Sequence, residues 1–529
     1  MISLRNISYT HPDKTLLFSH LSLNINQHDK IALIGNNGSG KSTLLRIMTG
    51  DLLPSDGELF NDAPPYYIPQ VFGQFNHLTI AQALQIEDKI TALKEILEGN
   101  VTENNLSILS DDWTIEDRCI ESLKYWQLED MPLTRKLETL SGGQKAKVFL
   151  AGIHIHQPEI VLMDEPSNHM DTVARQLLYD FIRSTSVSMV VVSHDRKMLN
   201  LLDKVVELGK PGIKVYGGNY EFYVAQKQIE DNALKQDVAS REKTLRKALE
   251  KEQETMERQQ KLDSRGKKKQ EKAGIPTIML NTFKNNAEKS TAKIRGIHAG
   301  RVDGLTQELI TLKKSLPAPD MIKFGFNDSP IHKGKILFSA NSINFGYTDH
   351  QLWAENLSFQ IISGERIALK GVNGSGKTTL IRIILGDLEP QTGRVYWAKH
   401  QTVYIDQDYK LINNQLNIYE QATQFNTSAL QEYEIKTRLN RFLFTAGDWD
   451  KPCSTLSGGE KMRLMLCCLT IQTHTPDIIL LDEPTNNLDV QNIGILTAAL
   501  NEYQGTLLVV SHDEYFLSQI KIEREILLN

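Results

Sequence analysis

Two stretches of this chain have the residue types and spacing needed to hold a chain of phosphates. Gly35-Asn36-Asn37-Gly38-Ser39-Gly40-Lys41-Ser42-Thr43 and Gly371-Val372-Asn373-Gly374-Ser375-Gly376-Lys377-Thr378-Thr379 both fit G-x-x-x-x-G-K-[ST]. In that pattern the glycines let backbone N–H groups close around phosphate oxygens at a helix N-terminus. Lys41 and Lys377 then reach the β/γ-phosphates, and Ser42 and Thr378 offer a hydroxyl to Mg²⁺. Farther on, Asp164-Glu165 and Asp482-Glu483 each end an apolar run and precede Pro-[Ser/Thr]-Asn. The aspartates suit a hold on Mg²⁺, and the glutamates suit a general base or water-orienting role. His194 and His512, 29 residues past each glutamate in Val-Val-Ser-His-Asp, suit a γ-phosphate contact. Gln70 and Gln407 close Tyr-Ile-[Pro/Asp]-Gln and are further candidates for the metal and nucleotide. Ser141-Gly142-Gly143 and Ser457-Gly458-Gly459 offer a second phosphate cradle at a helix start. Together these groups can bind ATP with Mg²⁺ and hydrolyse it.

Their positioning requires a duplicated scaffold. The two lysines are offset by 336 residues, the glutamines by 337, the Ser-Gly-Gly motifs by 316, and the acid pairs and histidines by 318. The order is the same in both halves, so the chain is a tandem repeat. The drop from 337 to 316 leaves 21 extra residues in the first half between its glutamine and its Ser-Gly-Gly. They fit either a short arm or looped helices. Lys30–Gly35 and Arg366–Gly371 read as strands running into glycine-rich turns and then helices. Ile160–Met163, Ile478–Leu481, Met189–Val192 and Leu507–Val510 are short apolar runs, as expected of parallel strands covered on both faces. The fold class is therefore α/β: two cassettes, over 1–222 and 330–529, joined by a linker over 223–329. Tyr9 or His11, and Phe345 or Tyr347, are candidates to stack on adenine, though strand packing explains each nearly as well.

The linker has almost no strand signal. Leu234, Val238, Leu245, Leu249 and Met256 form a narrow apolar seam, as do Leu305, Leu309, Leu312 and Leu316 farther on. Ser264, Gly266, Gly274 and Pro276 cluster where a reversal is needed. The expectation is two antiparallel helices of about 40 residues, each about 60 Å long, with a tip near 264–279. Residues 258–301 hold twelve Lys/Arg against three acids, a net +9. The whole chain of 529 residues carries −6, so the remainder carries −15. That asymmetry points to a polyanionic partner, with Arg265, Lys267, Lys268, Lys269, Lys272 and Lys284 as candidate RNA contacts. Ile275, Pro276, Ile278, Met279 and Leu280 add an apolar cluster at the tip that a mere spacer would avoid. The plainer alternative is a solvated hairpin that only spaces the cassettes.

The bulk properties fit this reading. No stretch reaches the roughly 18 apolar residues of a membrane helix, and the N-terminus lacks the basic-then-apolar layout of a signal peptide. The four cysteines show no C-x-x-C spacing, which argues against zinc or iron–sulfur sites and fits a reducing cytoplasm.

The motifs and their order resemble the ATP-binding cassette superfamily, across both halves and roughly four-fifths of the chain. The layout of two cassettes and a long helical linker on one chain resembles the ABC-F subfamily of ribosome-associated translation factors and antibiotic-resistance proteins. Tyr216-Gly-Gly-Asn-Tyr220 and Pro-Thr-Asn-Asn-Leu-Asp at 484–489 are also similar to that subfamily. The resemblance implies head-to-tail pairing within a monomer. Lys41, Asp164, Glu165 and His194 would share site one with Ser457, Gly458 and Gly459. Lys377, Asp482, Glu483 and His512 would share site two with Ser141, Gly142 and Gly143. It further implies a cytoplasmic ATPase acting on the ribosome, with the linker toward rRNA and the P-site tRNA. The departures are Pro166-Ser-Asn-His-Met-Asp171 in the first half and Glu460 in place of Gln in the second. A double-cassette subunit of a membrane importer is the alternative; its cassettes would be joined closely, often with one degenerate site.

Overall fold

The computed structural model describes residues 1–168, 170–209, 212–272, 296, 299–313, 332, 334–347, 350–372, 374–486 and 488–528. The chain divides into two compact units, Met1–Tyr223 with Ile322–Asn529, and Val224–Met321. The first unit holds both cassettes.

Each cassette is built on a parallel sheet. In the first, the strand order is Tyr66–Ile68, Ile160–Asp164, Ser188–Val192, Lys30–Ile34 and Lys204–Gly209, with Gly212–Tyr216 antiparallel at the edge. In the second it is Thr402–Ile405, Ile478–Asp482, Thr506–Val510, Arg366–Gly371 and Arg524–Leu528. The central strands are buried at every residue, which is why they read as unbroken apolar runs. Both aspartates of the acid pairs end their strands, level with the last valine of the neighbouring strand. The sheet thus delivers the carboxylates to the edge where the glycine-rich loops lie.

A second, antiparallel sheet flanks each core. Ile2–Thr10 pairs with Leu16–Ile25 and Asp56–Asn61, and Ile336–Asn344 pairs with Leu357–Ile362 and Thr392–Trp397. Sequence reading did not find these sheets. Their registers shift within every pair, so no clean alternation runs along them.

Between Gln70 and Ser141 the first cassette places helices Ile80–Ala83, Glu87–Leu97, Glu103–Leu109 and Ile115–Tyr125. The second has only Ile418–Gln424 and Glu432–Arg441 in the matching interval. The extra residues of the first half are thus looped helices. Asn105 ties two of them by donating to Glu95 at 2.8 Å. All four cysteines are buried, and Cys467 and Cys468 lie inside the helix Gly458–Ile471.

One helix spans Tyr220–Lys272, 53 residues or about 80 Å, and all but its first turn belongs to the other unit. It runs straight through Ser264 and Gly266, which corrects the expected start of the reversal there. A single glycine among good helix formers costs only about 1 kcal/mol. Residues 299–313 are also helical. Arg241 pairs with Glu308 at 3.0 Å and Lys313 with Glu242 at 2.7 Å, so these two helices lie side by side. Val238 and Leu309 are buried, but Leu249 is exposed, so the expected seam is interrupted there. Gly274, Pro276, the apolar tip cluster and Lys284 lie outside the described residues. Lys267, Lys268, Lys269 and Lys272 fall on the long helix, with their side chains outside the description.

Candidate active site

Each glycine-rich loop folds into a helix start in which the last glycine is indispensable. Gly40 and Gly376 precede Lys41 and Lys377 with φ of 96° and 88°, a left-handed conformation. A Cβ at Gly40 would also strike the Phe18 ring. The loop carbonyls face the lysine. Lys41 Nζ donates to the carbonyls of Gly35 at 2.8 Å and Asn36 at 3.2 Å. Lys377 Nζ does the same to Gly371 at 2.7 Å and Val372 at 3.0 Å. The buried hydroxyls of Ser39 and Ser375 have no hydrogen-bond partner among the described residues. A bound phosphate chain would supply acceptors to these donors. Asn373 lies outside the described residues. Ser42 and Thr43, like Thr378 and Thr379, occupy the first turn of the helix behind the loop.

The aspartates sit behind those helix starts. Ser42 and Tyr67 face Asp164 and favour its ionised form against burial. Asp482 accepts a hydrogen bond from Tyr404 at 3.1 Å. Burial raises the pKa of both carboxyls. Tyr67 and Tyr404 occupy matching positions in the strands that lead to Gln70 and Gln407. Sequence reading passed over them, because the Tyr-Ile-x-Gln motif was read only for its glutamine.

The glutamates are strained as well as buried. Glu165 and Glu483 have φ of 51° and 48°, which a side-chain-bearing residue seldom adopts. Each is pinned by its N–H donating at 2.8 Å to the end of the neighbouring strand, Val192 or Val510. Burial pushes the Glu165 carboxyl up to about 8 and Glu483 up to about 7. His194 Nε2 lies 3.2 Å from Glu165 Oε1, and His512 Nε2 lies 3.5 Å from Glu483 Oε1. Burial lowers the two imidazoles to about 3 and about 4, so both are neutral. Each pair is therefore a neutral ring beside a carboxyl.

The two cassettes meet at both glycine-rich loops. A cavity of about 450 Å³ is lined by Ser141, Gly142 and Gly143 of the first cassette and by Gly374, Gln407, Glu483 and His512 of the second. Met170 and Arg175 also line it from the first cassette. On the other side, Asp489 of the second cassette accepts from the backbone N–H of Asn37 at 2.8 Å. Each loop lysine thus feels three acids: Glu165, Asp489 and Asp164 for Lys41, and Glu483, Asp482 and Asp171 for Lys377. One of the three comes from the opposite cassette each time, Asp489 for Lys41 and Asp171 for Lys377. Asp171 and Asp489 also cap the helices Thr172–Ser184 and Val490–Glu502. These crossing aspartates are functional candidates that sequence reading missed. Their only sequence signal is the position six residues past each glutamate.

Ser141 caps the helix Gly142–His156 in a capping box with Gln144, and Ser457 caps Gly458–Ile471 in one with Glu460. The departure at Glu460 is thereby explained: a carboxylate fills the same role. Tyr347 is the one adenine candidate tied to a loop helix, its hydroxyl 3.0 Å from Thr379 Oγ1. Tyr9 packs edge-on against His11, and Phe345 against Tyr347.

The family model for ABC transporters matches residues 18–168 and 354–486. The chain is 30% identical to a probable ATP-binding protein, YbiT of Escherichia coli O157:H7, over 95% of this chain and 92% of that protein. The chain belongs to the ATP-binding cassette family, in its ABC-F branch. It is likewise 28% identical to ABC transporter F family member 5 of Arabidopsis thaliana, over 98% of this chain and 74% of that one. A crystal structure of the archaeal ribosome recycling factor aABCE1 shares the fold, with a TM-score of 0.61 and 20% identity over 99% of this chain and 87% of that chain. This ABC-F protein is accordingly an ATP-binding ATPase with two cassettes. Among the described residues no helix is long and apolar enough to cross a membrane.

Proposed function

We propose that this ABC-F ATPase closes its cassettes over two ATP molecules and, so closed, acts on the ribosome in the cytoplasm. Lys41 and Lys377 bind the β/γ-phosphates against the backbone N–H groups of their loops. Ser141–Gly143 and Ser457–Gly459 close on the nucleotide held by the opposite cassette. The set Ser42, Gln70 and Asp164, and the set Thr378, Gln407 and Asp482, present only oxygen donors, which suits Mg²⁺. The ion would neutralise charge developing on the phosphates. Glu165 and Glu483 orient and deprotonate the attacking water, and neutral His194 and His512 hold the γ-phosphate end.

The ribosome reading is carried by one observation. Arg258, Lys261 and Arg265 are exposed along the long helix that leaves the first cassette, within the segment of net +9. Exposed basic rows bind RNA phosphates, here rRNA and the P-site tRNA. A neighbour in fold bears the name of a ribosome recycling factor, which agrees with this partner. A subunit driving a membrane importer has no use for such a row.

The test is a Glu165→Gln, Glu483→Gln double variant sedimented with ribosomes and ATP on a sucrose gradient. Without a base, the closed form accumulates and the protein is expected in the ribosome fractions. If it stays at the top of the gradient, the ribosome reading is wrong. Growth of cells expressing the protein under ribosome-targeting inhibitors then separates antibiotic protection from a general role in translation.

A further inference from the structure

We propose that Arg175 of the first cassette is a γ-phosphate ligand of site two, with no counterpart in site one. This rests on the reading of the shared cavity as an ATP site. Arg175 stands one turn into the helix Thr172–Ser184, directly after the capping Asp171. Its side chain lines the cavity together with Glu483, His512 and Ser141–Gly143. Nε donates to its own cassette's Met170 carbonyl at 3.2 Å, which fixes the guanidinium plane. Nη1 reaches the His512 carbonyl of the other cassette at a long 3.5 Å. A guanidinium has five N–H donors in a fork that matches a phosphate, and these contacts occupy two.

The second cassette has no equivalent. Ile493 stands at the corresponding place four residues past Asp489, and it is buried in that cassette's core. A neighbouring position differs in the same direction. Thr172 Oγ1 lies 3.3 Å from His512 Nδ1, whereas Val490 stands at the matching position and His194 Nδ1 has no hydrogen-bond partner among the described residues. The signature serines differ too. Ser457 Oγ donates to Glu460 at 2.7 Å, so its proton is already engaged, whereas the corresponding side chain beside Ser141 is the neutral Gln144. Site two therefore gathers more free donors for a terminal phosphate than site one.

The test is calorimetric titration of the full chain, and of Arg175→Ala and Arg175→Lys variants, with a non-hydrolysable ATP analogue and with ADP. One charge-assisted bidentate contact corresponds to about a ten- to hundred-fold change in affinity. The alanine variant is expected to weaken analogue binding by that factor at one site of two, to leave the other site unchanged, and to leave ADP affinity unchanged at both. The lysine variant is expected to recover part of the loss, and melting curves report whether each variant folds. Equal weakening at both sites, no weakening at either, or a parallel loss of ADP affinity would overturn the assignment. If the unaltered chain binds no analogue in the shared cavity, the ATP-site reading itself is wrong, which is a different result.

Discussion

Replacing Glu165 with glutamine is expected to stabilise the nucleotide-free protein, and to do so more as pH rises. The Glu165 carboxyl is buried in the folded chain, which moves it from an ordinary 4.5 up to about 8. The folded chain therefore holds this proton over a range where the unfolded chain has released it. Stability fully present below about pH 4.5 is lost as pH climbs toward about 8, at about 1.4 kcal/mol per pH unit. At neutral pH the accumulated loss is on the order of 3 kcal/mol, against under about 1 kcal/mol near pH 5. Glutamine has nearly the same shape and no titration, so its own burial cost is constant across that range. The gap in melting temperature between variant and parent should thus widen by about 5–10 °C from pH 5 to pH 7, taking about 2–4 °C per kcal/mol for a cassette of this size. Differential scanning fluorimetry of the metal- and nucleotide-free protein across that range measures it. A gap that stays constant with pH would refute the reasoning, because it would place the Glu165 carboxyl near its ordinary value.

The same carboxyls set the pH dependence of turnover. A base must be ionised, so activity is expected to fall as pH drops through about 8 at site one and about 7 at site two. Steady-state phosphate release by the Glu483→Gln and Glu165→Gln single variants should show midpoints in that order. Tyr67→Phe and Tyr404→Phe each remove a donor that orients an aspartate behind its loop. Supporting groups of this kind are worth about ten-fold in metal affinity, so the Mg²⁺ concentration for half-maximal turnover should rise about ten-fold with melting temperature nearly unchanged.

The loops and acid pairs were legible in the sequence because their chemistry is local. A lysine six residues past a glycine, after a strand and before a helix, admits few other uses, and the buried strands announce themselves as unbroken Ile, Leu and Val. What the sequence hid depends on groups far apart along the chain. Nothing near Asp489 shows that its carboxylate meets the N–H of Asn37, 452 residues away. The left-handed backbone at Glu165 and Glu483 was hidden too, since glutamate in a strand-to-loop junction carries no mark of it. The fold imposes that conformation by tying each N–H to the neighbouring strand. In the linker, composition supported the helices, but spacing alone set the start of the reversal too early, because Ser264 and Gly266 do not outweigh the helix formers around them.

Site two couples cassette pairing to the proton affinity of its base. Burial raises the Glu483 carboxyl, and the charge that most opposes this comes from Arg175 of the other cassette. Ionised Glu483 is therefore favoured when Arg175 is at the cavity, and by linkage an ionised Glu483 favours the approach of Arg175. In site one the charge that opposes burial at Glu165 comes from Lys41 of the same cassette, so its base is set without the partner. Bringing the cassettes together thus readies the base of one site and leaves the other as its own cassette made it. The two bases thus sit in different electrostatic surroundings even though each site holds the same acid pair, lysine and histidine.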